Sequence, residues 1–128
     1  KKLFLIFNHE LTHLQREDAK KSLGVESIAD LPPDLKSLWK QLPPELEGID
    51  DYLGPLKKWL TEHAHSGDLV LIQGDFGAVY IMVNFAFDNG LAPFYSTTDR
   101  RAIEKHAADG SVELTHTFRH VRFRKYER

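Results

Sequence analysis

Residues 9–13 read His-Glu-Leu-Thr-His. The spacing His-Glu-x-x-His is the signature of zinc hydrolases. On a helix, His9 and His13 would stand one turn apart and grip one ion, with Glu10 as general base. That chemistry needs both histidines inside regular helix and a third ligand downstream. Here the motif follows Lys-Lys-Leu-Phe-Leu-Ile-Phe-Asn, an apolar run expected to be a strand, so His9 falls in the turn that leaves it. Glu26 and Asp34, the candidates for that third ligand, lie in loop-like or strand-like sequence. His13 reads better as an exposed residue of a first helical turn.

The elements that must position such groups follow from periodicity. Leu3–Phe7 is apolar without alternation, the pattern of a strand covered on both faces. Thr12 is a cap for a helix running to Leu23, which Gly24 ends. A short second strand is expected over Val25–Leu31. Pro32-Pro33 opens a short helix through Trp39, and Pro43-Pro44 breaks it. Ile49, Leu53, Leu56, Trp59 and Leu60 have helical spacing, which predicts a longer helix ending near His63. Leu69–Gln73 is the next buried strand, and Gly74–Gly77 turns into a helix over 76–88 closed by Asn89-Gly90. Leu91–Ser96 is a further strand. Alternating strands and helices with doubly covered strands predict an α/β, Rossmann-like, mainly parallel sheet with helices on both faces, in one domain over residues 1–128. Asp109-Gly110, between strand-like runs 101–108 and 111–118, predicts an antiparallel C-terminal hairpin.

Composition narrows the function. With no Cys among 128 residues, disulfides, thiolate metal sites and cysteine nucleophiles are excluded. The first apolar run is too short for a signal sequence, and the stretch 76–87 is broken by Asn84, so a cytoplasmic chain without membrane attachment is expected. A formal net charge of −2 argues against a general nucleic-acid coat protein, and no DNA partner is expected. The distribution is uneven. Residues 115–128 carry five Lys/Arg against one acid, whereas 26–62 carry eight acids against four Lys. A basic end on an acidic body suits a small anionic ligand, or equally a solvated basic strand. The helix 76–87 is apolar on every side, which points to a homodimer with that helix in or near the interface.

In open α/β sheets, ligands gather beyond the C-terminal strand ends. Asn8 and His9 follow the first strand, and Gln73, Gly74 and Asp75 follow the third. Ser96, Thr97, Thr98, Asp99, Arg100 and Arg101 follow the fourth. Helix N-termini after Gly74 and after Thr98 would add backbone N–H groups suited to phosphate. Each signal has a plainer reading. Asp75 is a good N-cap, Gln73 a strand-end residue, Thr97–Arg101 a capped turn, and His120 and Arg122 solvent-facing residues of the last strand.

Several stretches together resemble a small accessory family found with type III CRISPR systems. They are Leu-Phe-Leu-Ile-Phe-Asn-His at the start, the run 71–87 beginning Leu-Ile-Gln-Gly-Asp-Phe-Gly, the segment 90–101, and Asp-Gly-x-Val followed by His-Val-Arg-Phe-Arg. Members of that family look like reduced CARF domains and belong among the ring nucleases. The resemblance covers most of the chain and is weakest over 25–65. It implies a CARF-like fold, a homodimer, and metal-independent opening of cyclic oligoadenylate, usually cyclic tetra-adenylate, with no cofactor. It shares Phe7-Asn8-His9 and not the second histidine, which makes the zinc pattern a coincidence.

On that resemblance His9 is the candidate acid, with His120 as the alternative. Arg122, Arg100 and Arg101 are candidates for phosphate charge. Asn8, Gln73, Thr97 and Thr98 would fix the ring by hydrogen bonds, and the Gly74-Asp75-Phe76 turn would complete the ligand loop. Two rivals stand beside this enzyme: a non-catalytic sponge for the same ligand, and the zinc hydrolase of residues 9–13.

Overall fold

The computed structural model describes residues 1–128. The chain order is β1 (Lys2–Ile6), α1 (His13–Ser22), β2 (Ser27–Ala29), α2 (Pro33–Lys40), α3 (Gly54–His63), β3 (Leu69–Ile72), α4 (Phe76–Asp88), β4 (Ala92–His106) and β5 (Val112–Lys125). The sheet order is β2-β1-β3-β4-β5. The first four strands are parallel and β5 is antiparallel to β4. The molecule is therefore an α/β domain on a mixed, mostly parallel five-stranded sheet with four helices.

Alternation along β1 and β3 divides two cores. Phe4, Ile6, Val70 and Ile72 face Trp39, Leu56, Leu60, Met82 and Ala86 of α2, α3 and α4. Leu3, Leu5, Leu69 and Leu71 face Leu11, Ala19 and Val25 around α1, with Phe94 and Phe123. Strands covered on both sides need apolar residues at every position, which is why β1 and β3 show no alternation. Burying each such Leu, Ile or Phe side chain contributes about 1.5–3 kcal/mol.

Local chemistry sets the boundaries. Thr12 Oγ1 accepts the Gln15 N–H, and the Gln15 amide oxygen accepts the Thr12 N–H, a complete capping box. Asp75 caps α4 by accepting the Ala78 N–H at 3.1 Å. Gly90 ends that helix at φ +72°, a conformation L side chains adopt rarely.

Three expectations are corrected. The helix expected from Ile49 begins at Gly54, where Pro55 supplies the fixed φ of a first turn, and residues before it form turns. The second strand shrinks to three residues, with Val25 and Leu31 buried beside it. No helix follows Thr98. The β-branched pair Thr97-Thr98 continues straight into β4, which runs fifteen residues. The expected strands 91–96 and 101–108 are thus one strand, and 111–118 joins the final run as β5. In the single chain, α4 buries Ala78, Met82, Val83 and Ala86 and leaves Phe76 94% and Tyr80 73% exposed.

The β4–β5 register contains one irregularity. Thr97 stands opposite Arg122 and Thr98 opposite His120, so Val121 is an extra residue, a bulge. Beyond it the two strands continue as a ribbon to the Asp109-Gly110 turn. There Gly110 sits at φ +88° and the Asp109 carboxylate accepts the Ser111 N–H and hydroxyl. Every residue from 98 to 119 is exposed.

Candidate functional site at the strand ends

The C-terminal ends of β1 and β3 adjoin, and strand order reverses between them, because the chain steps from β1 to β2 on one side and returns to β3 on the other. Such a switch point is where open α/β sheets leave a crevice. The groups around it fall into three clusters.

The first cluster follows β1. Asn8 lines a groove of about 370 Å³ with Lys36, Ser37 and Lys40 of α2 and with Asp30. Lys36 Nζ lies 3.0 Å from Asp30 Oδ2, which leaves Lys40 as a cation free of that pairing. His9 is exposed, its ring edge-on to Phe7 at 5.4 Å between centroids. His13 is the first residue of α1, so His9 and His13 do not share a helical face. No group of three or more His, Asp or Glu in the structure could hold a metal ion. The residue pattern 9–13 therefore does not form the helical clamp it spells.

The second cluster follows β3. Gln73 donates its N–H to Ile6 O at 3.1 Å, and its own carbonyl accepts the Trp39 indole N–H at 2.9 Å. Its side-chain oxygen accepts the Ser96 N–H at 2.7 Å, so the amide N–H₂ is the end left for a ligand. Gly74 must be glycine for a steric reason: a Cβ there would lie 2.8 Å from Trp39 Nε1. Asp75 is the N-cap of α4, as its plainer reading had it. Phe76 extends from the first turn of α4 into solvent. It lines a groove of about 470 Å³ with Val79, Tyr80, Val83, Phe87 and Tyr126.

The third cluster is the root of the ribbon. Thr97 Oγ1 donates to Arg122 O at 3.1 Å and accepts the Arg122 N–H at 3.2 Å, bridging the bulge. His120 does not face solvent. Its side chain is 3% exposed, with Nδ1 2.5 Å from Ser96 Oγ and Nε2 2.7 Å from Asp18 Oδ2. Gln15 Nε2 donates to Ser96 Oγ at 3.4 Å. The Ser96 hydroxyl therefore donates to Nδ1, and Nε2–H donates to the Asp18 carboxylate. The neutral tautomer satisfies every partner. Ser22 Oγ donates to the other Asp18 oxygen. That hydroxyl, then His120 and the Arg122 charge, hold the Asp18 carboxyl below its ordinary range, against the upward pull of partial burial. The order Asp-His-Ser is that of a hydrolase relay. Here, however, the serine is 8% exposed and closed in by Gln15, so the chain of bonds ties α1 to β4 and β5.

The remaining predicted residues lie farther out. Thr98 is exposed just past the bulge. Arg100 stands over the Phe118 ring at 5.6 Å, and Arg101 Nε lies 3.1 Å from Asp99 Oδ2. At about 3.4 Å per residue both are roughly 14–17 Å along the ribbon from Ser96. The structure thus joins Gln73 to Ser96 and Thr97 to Arg122, and separates Arg100 and Arg101 from them. Sequence reading missed Asp18, Gln15, Lys36 and Lys40. Lys36 and Lys40 had a visible signal, their i,i+4 spacing on the helix after Pro32-Pro33. The role of Asp18 had none.

No helix is long and apolar enough to cross a membrane. A family model described as "Uncharacterized protein MJ1673 family" matches residues 1–124. "Uncharacterized protein MJ1673" of Methanocaldococcus jannaschii is 50% identical over 125 residues, covering 98% of this chain and 96% of that protein. No solved structure matches the chain.

Proposed function

The chain belongs to the MJ1673 family, and we propose that it is a ring nuclease with a CARF-like, Rossmann-type domain, acting as a homodimer on cyclic tetra-adenylate or a related cyclic oligoadenylate of type III CRISPR defence. The observation that supports the reading is the set of donors near one end of the sheet: Asn8 and His9 follow β1, Gln73 follows β3, Thr97 and Arg122 are paired within β4 and β5, and the exposed Phe76 opens α4 three residues after Gln73. Phosphates need cations and amide or hydroxyl donors. Adenine needs a flat apolar partner, and base stacking on an aromatic ring contributes about 1–3 kcal/mol. Asn8 with Lys36 and Lys40 lines one groove and Phe76 with Tyr80 another, so a ligand that uses both kinds of group spans the two.

The reaction requires no protein nucleophile. The 2′-oxygen of one ribose attacks the adjacent phosphorus as the P–O5′ bond breaks. The 2′-OH proton leaves to solvent, and an acid protonates the departing 5′-oxygen. The products end in a 2′,3′-cyclic phosphate and a 5′-OH. Holding the 2′-oxygen in line supplies much of the rate. Arg122 stabilises charge on the phosphoryl oxygens. His9 is the acid. It is the exposed imidazole of this sheet end, whereas both nitrogens of His120 are occupied, which leaves His120 to position Ser96 and α1. Asn8, with Lys40 beside it, and Gln73 through its amide N–H₂ orient the ring. Thr98, Arg100 and Arg101 meet its outer edge only if the ligand extends along the ribbon.

The test is one incubation of protein with cyclic tetra-adenylate and excess EDTA, resolved by chromatography. Linear products ending in 2′,3′-cyclic phosphate support the proposal. An intact ring that co-elutes with the protein identifies a sponge. An unbound, intact ring overturns both.

A further inference from the structure

We infer that the outer edge of β5 is a self-complementary interface, on which a second copy of this chain pairs antiparallel through residues 112–120 about a two-fold axis at His116. The inference rests on the ribbon alone and not on the nuclease reading.

The ribbon is an unfinished structure. Beyond Phe94, β4 has no partner but β5, and β5 is the last strand of the sheet. A two-stranded ribbon is marginal in water and needs a third strand or a covering layer. Most of the usual protections of a free edge are missing from 112–120: there is no Pro and no Lys, the bulge at Val121 lies outside the segment, and the only Asp, Glu, Lys or Arg are Glu113 and Arg119. Residues there are instead strand formers, Val112, Thr115, Thr117 and Phe118, with Leu114. Leu114 and Phe118 share one face of the ribbon and are 59% and 66% exposed.

Symmetry then restricts the pairing. A two-fold axis normal to the sheet keeps each side chain on its own face, so residues of equal parity must stand opposite each other. With the axis at His116, Glu113 meets the partner's Arg119, Leu114 meets the partner's Phe118, and Thr115 meets the partner's Thr117. Each is a favourable cross-strand type, opposite charge, aromatic with aliphatic, and Thr with Thr, and each occurs twice. Moving the axis to Thr115 sets Glu113 against Thr117, and moving it to Thr117 sets Glu113 against Val121. Only the His116 register pairs the charges. The dimer so formed continues the sheet from one protomer into its partner.

The absence of cysteine makes the test clean. His116→Cys places two thiols directly opposite each other, where Cβ atoms of paired residues are about 4.5–5.5 Å apart. Under copper-phenanthroline oxidation this variant is expected to run as a covalent dimer on a non-reducing gel within minutes. Ala102→Cys, on the opposite edge of the ribbon, is expected to stay monomeric in the same time. Light scattering of the unmodified protein should give twice 14.7 kDa. Phe118→Glu should weaken that dimer at least tenfold, and Leu114→Lys with Phe118→Glu should restore it through opposite charges. A monomeric mass at high concentration overturns the inference, as does bridging through Ala102→Cys in place of His116→Cys.

Discussion

Gln73 and Ser96 lie on neighbouring strands, and the Gln73 side-chain oxygen accepts the Ser96 backbone N–H at 2.7 Å. The parallel β3–β4 ladder ends at Leu71 and Phe94, so this side chain replaces the next backbone bond. It lets β4 leave the sheet without an orphan donor, at the cost of an unmet hydrogen bond if the residue is changed. Gln73→Leu is therefore expected to lower stability by about 1–3 kcal/mol, the usual penalty of a buried donor left unpaired. Urea unfolding measures it. Gln73→Glu, which keeps an acceptor oxygen, should recover most of the loss.

The Asp18 carboxyl predicts an acid-sensitive fold. Its folded-state pKa is lowered, first by the Ser22 hydroxyl and then by His120 and Arg122. A lowered carboxyl contributes stability above its unfolded pKa of about 3.9 and loses it as pH falls through the lower folded value. The midpoint of urea unfolding should therefore drop below about pH 4. In Asp18→Asn that part of the drop should be absent, at a stability lower than the parent's near neutral pH. Equal slopes for the two proteins below pH 4 would show that Asp18 is not the linked group.

His9 and His120 should separate in their effects. His9→Ala is expected to leave the unfolding midpoint unchanged and to slow ring opening by about 10²–10⁴-fold, the range for losing a positioned acid. His120→Ala leaves Ser96 and Asp18 without their shared partner and should cost about 1–3 kcal/mol of stability. Where it stays folded, its turnover should approach the parent value. A His120 variant that folds normally but does not turn over would reverse these assignments.

Phe76→Ala tests the stacking surface. The side chain is almost wholly exposed, so stability should change by less than about 0.5 kcal/mol. Affinity for cyclic tetra-adenylate should fall by about 5–150-fold, equivalent to a lost stacking contact of 1–3 kcal/mol. Calorimetric titration at fixed salt measures both affinity and stoichiometry.

Much of the scaffold was legible because it is local. Thr12, Gly24, Pro33, Asp75 and Asn89-Gly90 act on their own neighbours, and the helices they bound lie close to where the sequence puts them. The strand 69–72 and the turn at Asp109-Gly110 were legible for the same reason. The ribbon was not. Thr97–Arg101 contains good turn residues, and only the pairing of Thr97 and Thr98 with residues over twenty positions away makes them strand. The site shows the same division. Asn8, His9 and Gln73 could be placed from strand ends. The partnership of His120 with Asp18 spans 102 residues and left no periodic trace, so a buried imidazole looked like a surface one.

The extra residue Val121 has a consequence for how this sequence can change. Before it, from Phe123 onward, alternation along β5 is set by the core. After it, from His120 back to Val112, alternation is set by what the ribbon meets outside the domain. Thr97 stands opposite Arg122 and Thr98 opposite His120, so Val121 adds length without a change of face, and His120 and Phe123, three residues apart, both turn toward α1. Deleting Val121 would leave every other pair as it stands and take away only the local bend and extra twist. Absorbing Val121 into the ladder opposite Thr98 would instead turn every side chain from His120 back to Val112 to the other face, and His120 would lose Asp18. The segment therefore tolerates the loss of this residue better than its pairing, and its largely exposed side chain leaves the choice of residue open.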